Sequence, residues 1–142
     1  MPGALLDTHA LYWLITNAGE LAEAALVAIA DNQAAGTLFV SPITEWELAI
    51  ASKKPAHKDP PNLGALTPGQ WFSTAVTAST AKVIPIRQRI ACEAAMVPDA
   101  TGHKDTGDCY IVATARVRKI PVITRDDTLR GFDPDYLSVI VC

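Results

Sequence analysis

Short apolar runs alternate with helical segments along this chain, and the alternation limits the folds that it can adopt. The apolar runs fall at Gly3–Leu6, Thr37–Val40, Lys82–Ile84, Pro121–Thr124 and Leu137–Val141. Strands that are apolar on both sides belong to parallel sheets covered by helices on both faces. The sequence therefore predicts an α/β fold with a parallel sheet of these strands.

The segments between the apolar runs carry helical signals. Ser41 followed by Pro42 predicts a helix start, because serine caps free N–H groups and proline is tolerated at the first helical position. Helices are predicted from Leu11, over Glu20–Ala30, from Pro42 through Ile50, and over Gln70–Ser79, Arg87–Met96 and Asp108–Lys119. The proline-rich stretch 55–68 and residues 98–107 are predicted loops inside one domain, residues 1–142.

Composition narrows the class of protein. With 49% hydrophobic and 19% charged residues, the chain has the balance of a globular protein, and no apolar run approaches membrane-spanning length. The three cysteines are widely spaced and odd in number, which favours a protein of a reducing compartment. They form no CxxC pair, which argues against a structural zinc site. No secretory signal pattern opens the chain, so we expect a cytoplasmic protein. A net charge of −3 argues against a passive nucleic-acid binder, but not against a nuclease that binds metal in an acidic hollow.

Acidic residues fall near the predicted carboxyl ends of the strands, where α/β proteins bind ligands. Asp7 closes the first strand, Glu47 lies on the helix after the second, Asp108 opens a helix, and Asp126 follows the fourth strand. Carboxylates are the ligands that Mg²⁺ and Mn²⁺ prefer, and a bound cation offsets their mutual repulsion. Asp105, three residues before Asp108, is a candidate for a fifth acid of the site or for a residue that supports the metal ligands.

Each acid also has a purely structural explanation. Asp7 and Asp108 can cap helices, Glu47 can be a solvated helix residue, and Asp126 can belong to a turn. The set of four at one sheet edge favours a metal site. Helical geometry lets only one of Glu45 and Glu47 face that site.

Other residues are interpreted structurally. His9 and His103 are expected to be structural or surface residues before metal ligands. Ile43, Trp46 and Ile50 share a helical spacing, which predicts a buried stripe.

The ordered acids and their surroundings resemble a known family. The segments concerned are LLDTHALYWL with Asp7, VSPITEWELAI with Glu47, HKDTGDCYIVATAR with Asp105 and Asp108, and VITRDD with Asp126. Together they resemble PIN-domain ribonucleases, and among these the VapC-type toxins of type II toxin–antitoxin systems. The resemblance covers nearly the whole chain.

That resemblance implies a three-layer α/β/α sandwich with a five-stranded parallel sheet. It implies an endoribonuclease toxin dependent on Mg²⁺ or Mn²⁺ that cuts structured loops of transfer or ribosomal RNA. It also implies a homodimer and a cognate VapB-like antitoxin. Relatives often have Pro-Phe between the paired acids and Arg after the second, whereas this chain has Thr106, Gly107 and Cys109.

Two other functions remain open at this point. A non-catalytic binding or scaffold protein on the same fold would use the acids only as surface charge. A phosphotransfer domain of similar architecture would need a second Asp where His9 stands, or a lysine after a late strand where Arg125 and Asp126 stand.

Overall fold

The computed structural model describes residues 3–142, so the first two residues of the predicted domain lie outside the description. The strands are β1 (Ala4–Leu6), β2 (Leu38–Val40), β3 (Lys82–Val83), β4 (Val122–Thr124) and β5 (Val139–Val141). The helices are α1 (Thr8–Thr16), α2 (Glu23–Ala35), α3 (Pro42–Ala51), α4 (Pro68–Ser79), α5 (Gln88–Thr101), α6 (Thr106–Arg118) and α7 (Asp127–Arg130). A single 3₁₀ turn, Ala56–Lys58, interrupts the long loop before α4.

All five strands are parallel, in the order β3-β2-β1-β4-β5. Alternate residues of the central strand point to opposite faces. Ala4 and Leu6 join a core with residues of α1, α2 and α4, whereas Leu5 joins a second core with residues of α5 and α6. This arrangement confirms the predicted α/β/α sandwich with its five-stranded parallel sheet.

The prediction of a loop over residues 98–107 was wrong in part, because residues 98–101 and 106–107 are helical and only 102–105 form a loop. Helix α5 continues through Pro98 to Thr101, and Gly102 ends it with a φ of 77°. Proline in the last turn removes one backbone hydrogen bond, while Ala94 and Val97 remain buried and hold that turn against the core. Helix α6 then begins at Thr106, two residues earlier than predicted.

The predicted buried stripe of α3 was also wrong in part. The buried residues of this helix are Ile43, Thr44 and Leu48, while Trp46 is 47% exposed and Ile50 is 45% exposed. Helical periodicity allows either set to face inward, and packing against α1, α4 and α6 selects the first. Trp46 and Ile50 are thereby left on the surface.

In the described part of the chain, no helix combines the length and apolar character needed to cross a membrane.

All three cysteines are free thiols.

The central strand should dominate stability. Replacing Leu5, which is fully buried, by alanine should lower the free energy of unfolding by about 2–5 kcal/mol, because a cavity remains where the side chain packed. Chemical denaturation measures this loss. Met96→Ala, at a position 55% exposed, is the control and should change the value by less than about 0.5 kcal/mol. Equal losses for the two variants would contradict the assigned core.

Candidate metal centre

Asp7 lies at the point where β1 ends and α1 begins. Its Oδ1 accepts a hydrogen bond from the backbone N–H of Ala10 at 2.8 Å, which caps α1. Its Oδ2 accepts a hydrogen bond from the hydroxyl of Thr124, at the end of β4. The parallel pairing of β1 with β4 brings these two strand ends together, and the Asp7 side chain is buried there.

Glu47 reaches the same region from α3. The hydroxyl of Thr8 donates to Glu47 Oε1 at 2.5 Å and lies 3.1 Å from the hydroxyl of Thr44. Ser41 caps α3 through the N–H of Ile43, as its sequence position predicts. Glu47 is partly buried, whereas Glu45 is exposed.

Asp105 and Asp108 lie at the start of α6. Asp105 is the N-cap, and its Oδ1 accepts the backbone N–H of Asp108 at 2.9 Å. Asp108 therefore belongs to the first turn and is not the cap. Its Oδ2 lies 2.7 Å from Nε2 of His103, within hydrogen-bonding distance.

These elements bring three of the predicted acids into one cluster. One carboxylate oxygen from each of Glu47, Asp105 and Asp108 lies within 4.8 Å of the other two. Asp7 is outside this group but is close enough to Glu47 and Asp108 for their charges to interact.

Asp126 is set apart from the cluster. It is exposed, and its Oδ1 accepts the backbone N–H groups of Thr128 and Leu129 as the N-cap of α7. Its charge still acts on Asp108. Asp126 therefore borders the cluster from the β4 side.

Burial raises the pKa of three of these acids. Desolvation raises the pKa of Asp7 and Asp108, and it raises the pKa of Glu47 to about 7. Hydrogen bonds from Thr124, Thr8 and His103 act in the opposite direction, and the neighbouring carboxylates add to the rise. These carboxylates offer only oxygen ligands, and their negative charges repel one another. A hard divalent cation prefers oxygen ligands and offsets this repulsion, so the residues present fit such an ion.

Gly107 lets α6 approach Glu47 closely. A Cβ atom built at Gly107 would lie 2.3 Å from the Glu47 carboxyl carbon, which is far inside contact distance. This glycine occupies one of the positions at which the sequence departs from Pro-Phe. The absence of a side chain here leaves the space that the Glu47 carboxylate fills.

A cavity of about 720 Å³ opens beside the acids. Glu47, Asp105 and Gly107 line its acidic end, and Trp13, Trp46 and Lys54 line the rest together with other residues of α1, α3 and the following loop. A polar end next to an aromatic wall can accept a ligand that carries both charged and planar groups.

Sequence reasoning did not assign His103 and Thr8 to this region. His103 stands five residues before Asp108, beyond the helical spacings that place side chains side by side. Thr8 follows Asp7 directly, so only the packing of α1 against α3 shows that its hydroxyl meets Glu47.

Comparison with known proteins identifies the family. The PIN domain family matches residues 4–133 of the chain. The chain belongs to the PIN domain family. No curated protein matches it significantly in sequence.

Solved structures with the same fold come from several bacteria. A toxin–antitoxin complex from Klebsiella pneumoniae is 26% identical with a TM-score of 0.61, covering 97% of this chain and 96% of that chain. DNA-bound VapBC from Salmonella typhimurium is 17% identical with a TM-score of 0.66, covering 99% and 98%. VapBC-5 from Mycobacterium tuberculosis is 23% identical with a TM-score of 0.58, covering 99% and 98%. The predicted resemblance is confirmed for the family and the fold.

The raised pKa of Glu47 should make the metal-free protein less stable as the pH rises. Below pH 4.5 the Glu47 carboxyl is protonated in both the folded and the unfolded protein. Between pH 4.5 and 7 the unfolded chain releases this proton while the folded chain retains it. Stability should therefore fall through this window, and Asp7 and Asp108 contribute with the same sign. Denaturant midpoints measured with a chelator present should show the fall, and Glu47→Gln should reduce it.

Glu45→Gln is the matched control, because Glu45 lies on the same helix but is exposed. It should keep the wild-type dependence on pH. A Glu47→Gln protein with an unchanged pH dependence would show that Glu47 retains no proton in the folded state.

Proposed function

We propose that this protein is a metal-dependent endoribonuclease and the toxin member of a toxin–antitoxin pair. The observation that carries the proposal is the cluster of Glu47, Asp105 and Asp108, whose carboxylate oxygens lie within 4.8 Å of one another on a PIN fold. Residues 1–142 act in this proposal as a single nuclease domain.

The cation in this proposal is Mg²⁺ or Mn²⁺. Glu47, Asp105 and Asp108 would hold it, with Asp7 supplying further negative charge beside them. When bound, the cation supplies Lewis acidity that activates water and stabilises charge on the phosphate undergoing hydrolysis.

Asp126 takes an outer position in the proposed site. One of its oxygens caps α7, so its second oxygen is the one available to a hydrated cation. Mg²⁺ usually keeps several waters, so a carboxylate can act on it through water.

The side chains around the acids would hold them in place during the reaction. The hydroxyl of Thr8 donates to one oxygen of Glu47, and the hydroxyl of Thr124 donates to one oxygen of Asp7. Fixed carboxylates need little reorganisation when the reaction develops charge, which is how an enzyme lowers a barrier by electrostatic means.

The cavity next to the acids supports a single-stranded RNA substrate. The exposed indole of Trp46 provides a surface on which a base can stack, and the ammonium group of Lys54 can attract a phosphate. Both line the same cavity as Glu47 and Asp105, so a nucleotide held there would extend to the acids. We propose structured loops of transfer or ribosomal RNA as substrates, since such loops expose unstacked bases.

The partner proposal follows from the structural relatives. Several solved structures with this fold are toxin–antitoxin complexes, and the one from Klebsiella pneumoniae is 26% identical to this chain. We therefore propose a VapB-like antitoxin as the partner and a homodimer as the active assembly. Three free thiols agree with action in the reducing cytoplasm, where the RNA substrates are found.

Cleavage of total cellular RNA by purified, antitoxin-free protein tests the activity. We expect discrete fragments with Mg²⁺ or Mn²⁺ and none with EDTA. Asp108→Asn should reduce the cleavage rate by at least about a hundredfold, since even residues that only support a metal ligand typically contribute 10–100-fold. Gel analysis with end mapping measures the rate and the cut position.

Asp127→Asn is the matched control, because the Asp127 side chain is 96% exposed and, among residues 3–142, forms an ion pair with Arg130 of α7 alone. It should cleave at the wild-type rate. A folded wild-type protein that binds neither Mg²⁺ nor Mn²⁺ would refute the nuclease and favour a scaffold function. Cleavage that persists in EDTA would refute the metal dependence.

Trp46 should affect RNA binding without affecting metal binding. Because stacking of a base on an aromatic ring contributes roughly 1–3 kcal/mol, Trp46→Ala should raise KM about five- to hundredfold. Steady-state cleavage of a mapped RNA fragment measures KM, and calorimetry with Mn²⁺ measures metal affinity. Met96→Ala removes a similarly exposed side chain of α5 and should change neither quantity. An unchanged KM in Trp46→Ala would remove the proposed stacking surface.

A further inference from the structure

His103 lies between two helices that meet at the acid cluster. Helix α5 ends at Thr101 with Gly102 as its C-cap, and Asp105 caps α6. His103 thus belongs to the short connection that leads into the first turn of α6, where Asp108 lies. Its side chain is only 19% exposed.

Three contacts fix His103 independently of Asp108. Its backbone N–H donates to the hydroxyl of Thr101 at 3.1 Å, and its carbonyl oxygen accepts from Sγ of Cys109 at 3.5 Å. Its ring packs against the ring of Phe132 in a T-shaped arrangement, with ring centroids 6.1 Å apart and planes inclined by 68°. The backbone contacts hold the residue, and the aromatic contact orients the imidazole.

The oriented imidazole contacts one oxygen of Asp108. Nε2 of His103 lies 2.7 Å from Asp108 Oδ2, which leaves Oδ1 available to a cation. The contact parallels those of Thr124 with Asp7 and Thr8 with Glu47. Each partly or fully buried carboxylate of the site is held by one side-chain donor, and such partners orient carboxylate ligands in metal sites.

We infer that His103 is the positioning residue of Asp108: it holds the carboxylate in the orientation that binds the divalent cation and thereby increases the affinity of the site for metal. The inference rests on the proposed metal-dependent function. It assigns His103 a role through Asp108 and not as a ligand of the cation.

Two substitutions separate positioning from packing. His103→Phe keeps a ring against Phe132 and removes the nitrogen that contacts Asp108. His103→Gln places an amide N–H near the position of Nε2 and removes the ring. If His103 positions Asp108, the glutamine variant retains metal affinity and the phenylalanine variant loses it, whereas a packing role predicts the reverse order.

Mn²⁺ affinity, measured by calorimetry at one fixed pH, is the first readout. We expect His103→Phe to weaken Mn²⁺ binding about 10–100-fold, and His103→Gln to remain within about threefold of wild type. His57→Phe is the control, since His57 is exposed on the 3₁₀ turn, and it should bind Mn²⁺ like wild type. Denaturant unfolding of the metal-free proteins is the second readout and should show no comparable loss for His103→Phe.

A third variant keeps the test decisive if His103→Phe does not fold. His103→Asn carries the same amide as His103→Gln on a side chain one methylene shorter, which does not reach Asp108 Oδ2. It should bind Mn²⁺ about as weakly as we expect of His103→Phe. Equal Mn²⁺ affinity for the Asn variant and the Gln variant would overturn the role of His103, as would wild-type affinity in His103→Phe.

The outcomes also distinguish this inference from the proposed function. If wild-type protein binds no Mn²⁺, the metal centre is refuted and the role of His103 with it. If wild-type protein binds Mn²⁺ and all His103 variants bind it equally, only the role of His103 is refuted. If the affinities differ as expected but no RNA is cleaved, the positioning role stands and the RNA substrate is refuted.

Discussion

Burying carboxylates at the carboxyl edge of the sheet opposes their ionisation, and much of the site is arranged around that cost. Desolvation is the largest cause of the raised pKa of Asp7, Glu47 and Asp108. Hydrogen bonds from the side chains of Thr124, Thr8 and His103 act in the opposite direction, but the pKa of each acid stays raised. A divalent cation would remove the remaining repulsion, so the same burial that destabilises the metal-free protein favours metal binding.

Helix capping and the acid site use the same side chains. Asp7, Asp105 and Asp126 cap α1, α6 and α7, and all three border the site. Each cap engages one carboxylate oxygen with backbone N–H groups at a helix N-terminus, where negative charge is favoured. Capping and a place at the site are therefore compatible: Asp105 and Asp126 cap through Oδ1 alone, and the second oxygen of Asp7 accepts from Thr124.

The departure from the Pro-Phe pattern of relatives has a physical counterpart in the packing of α6. Gly107 leaves no Cβ between this helix and Glu47, and the carboxylate of Glu47 occupies that space. The short distance between α3 and α6 at this point brings Glu47 within reach of Asp105 and Asp108. Glycine weakens a helix, but at this position it permits the close approach of α6 to Glu47.

The sequence by itself determined the five strands and the Ser41 cap, and it placed Asp7, Glu47, Asp108 and Asp126 near the carboxyl ends of the strands. These features depend on apolar patterns, capping preferences and helical geometry, which act over a few residues. Tertiary structure decided that Trp46 is exposed, that Asp126 lies outside the cluster of three, and that His103 meets Asp108. It also decided that α5 continues through Pro98, because burial of Ala94 and Val97 outweighs the missing hydrogen bond. Thr124 and Asp7 are 117 residues apart in the chain, and only the packing of strands and helices fixes distances between such residues.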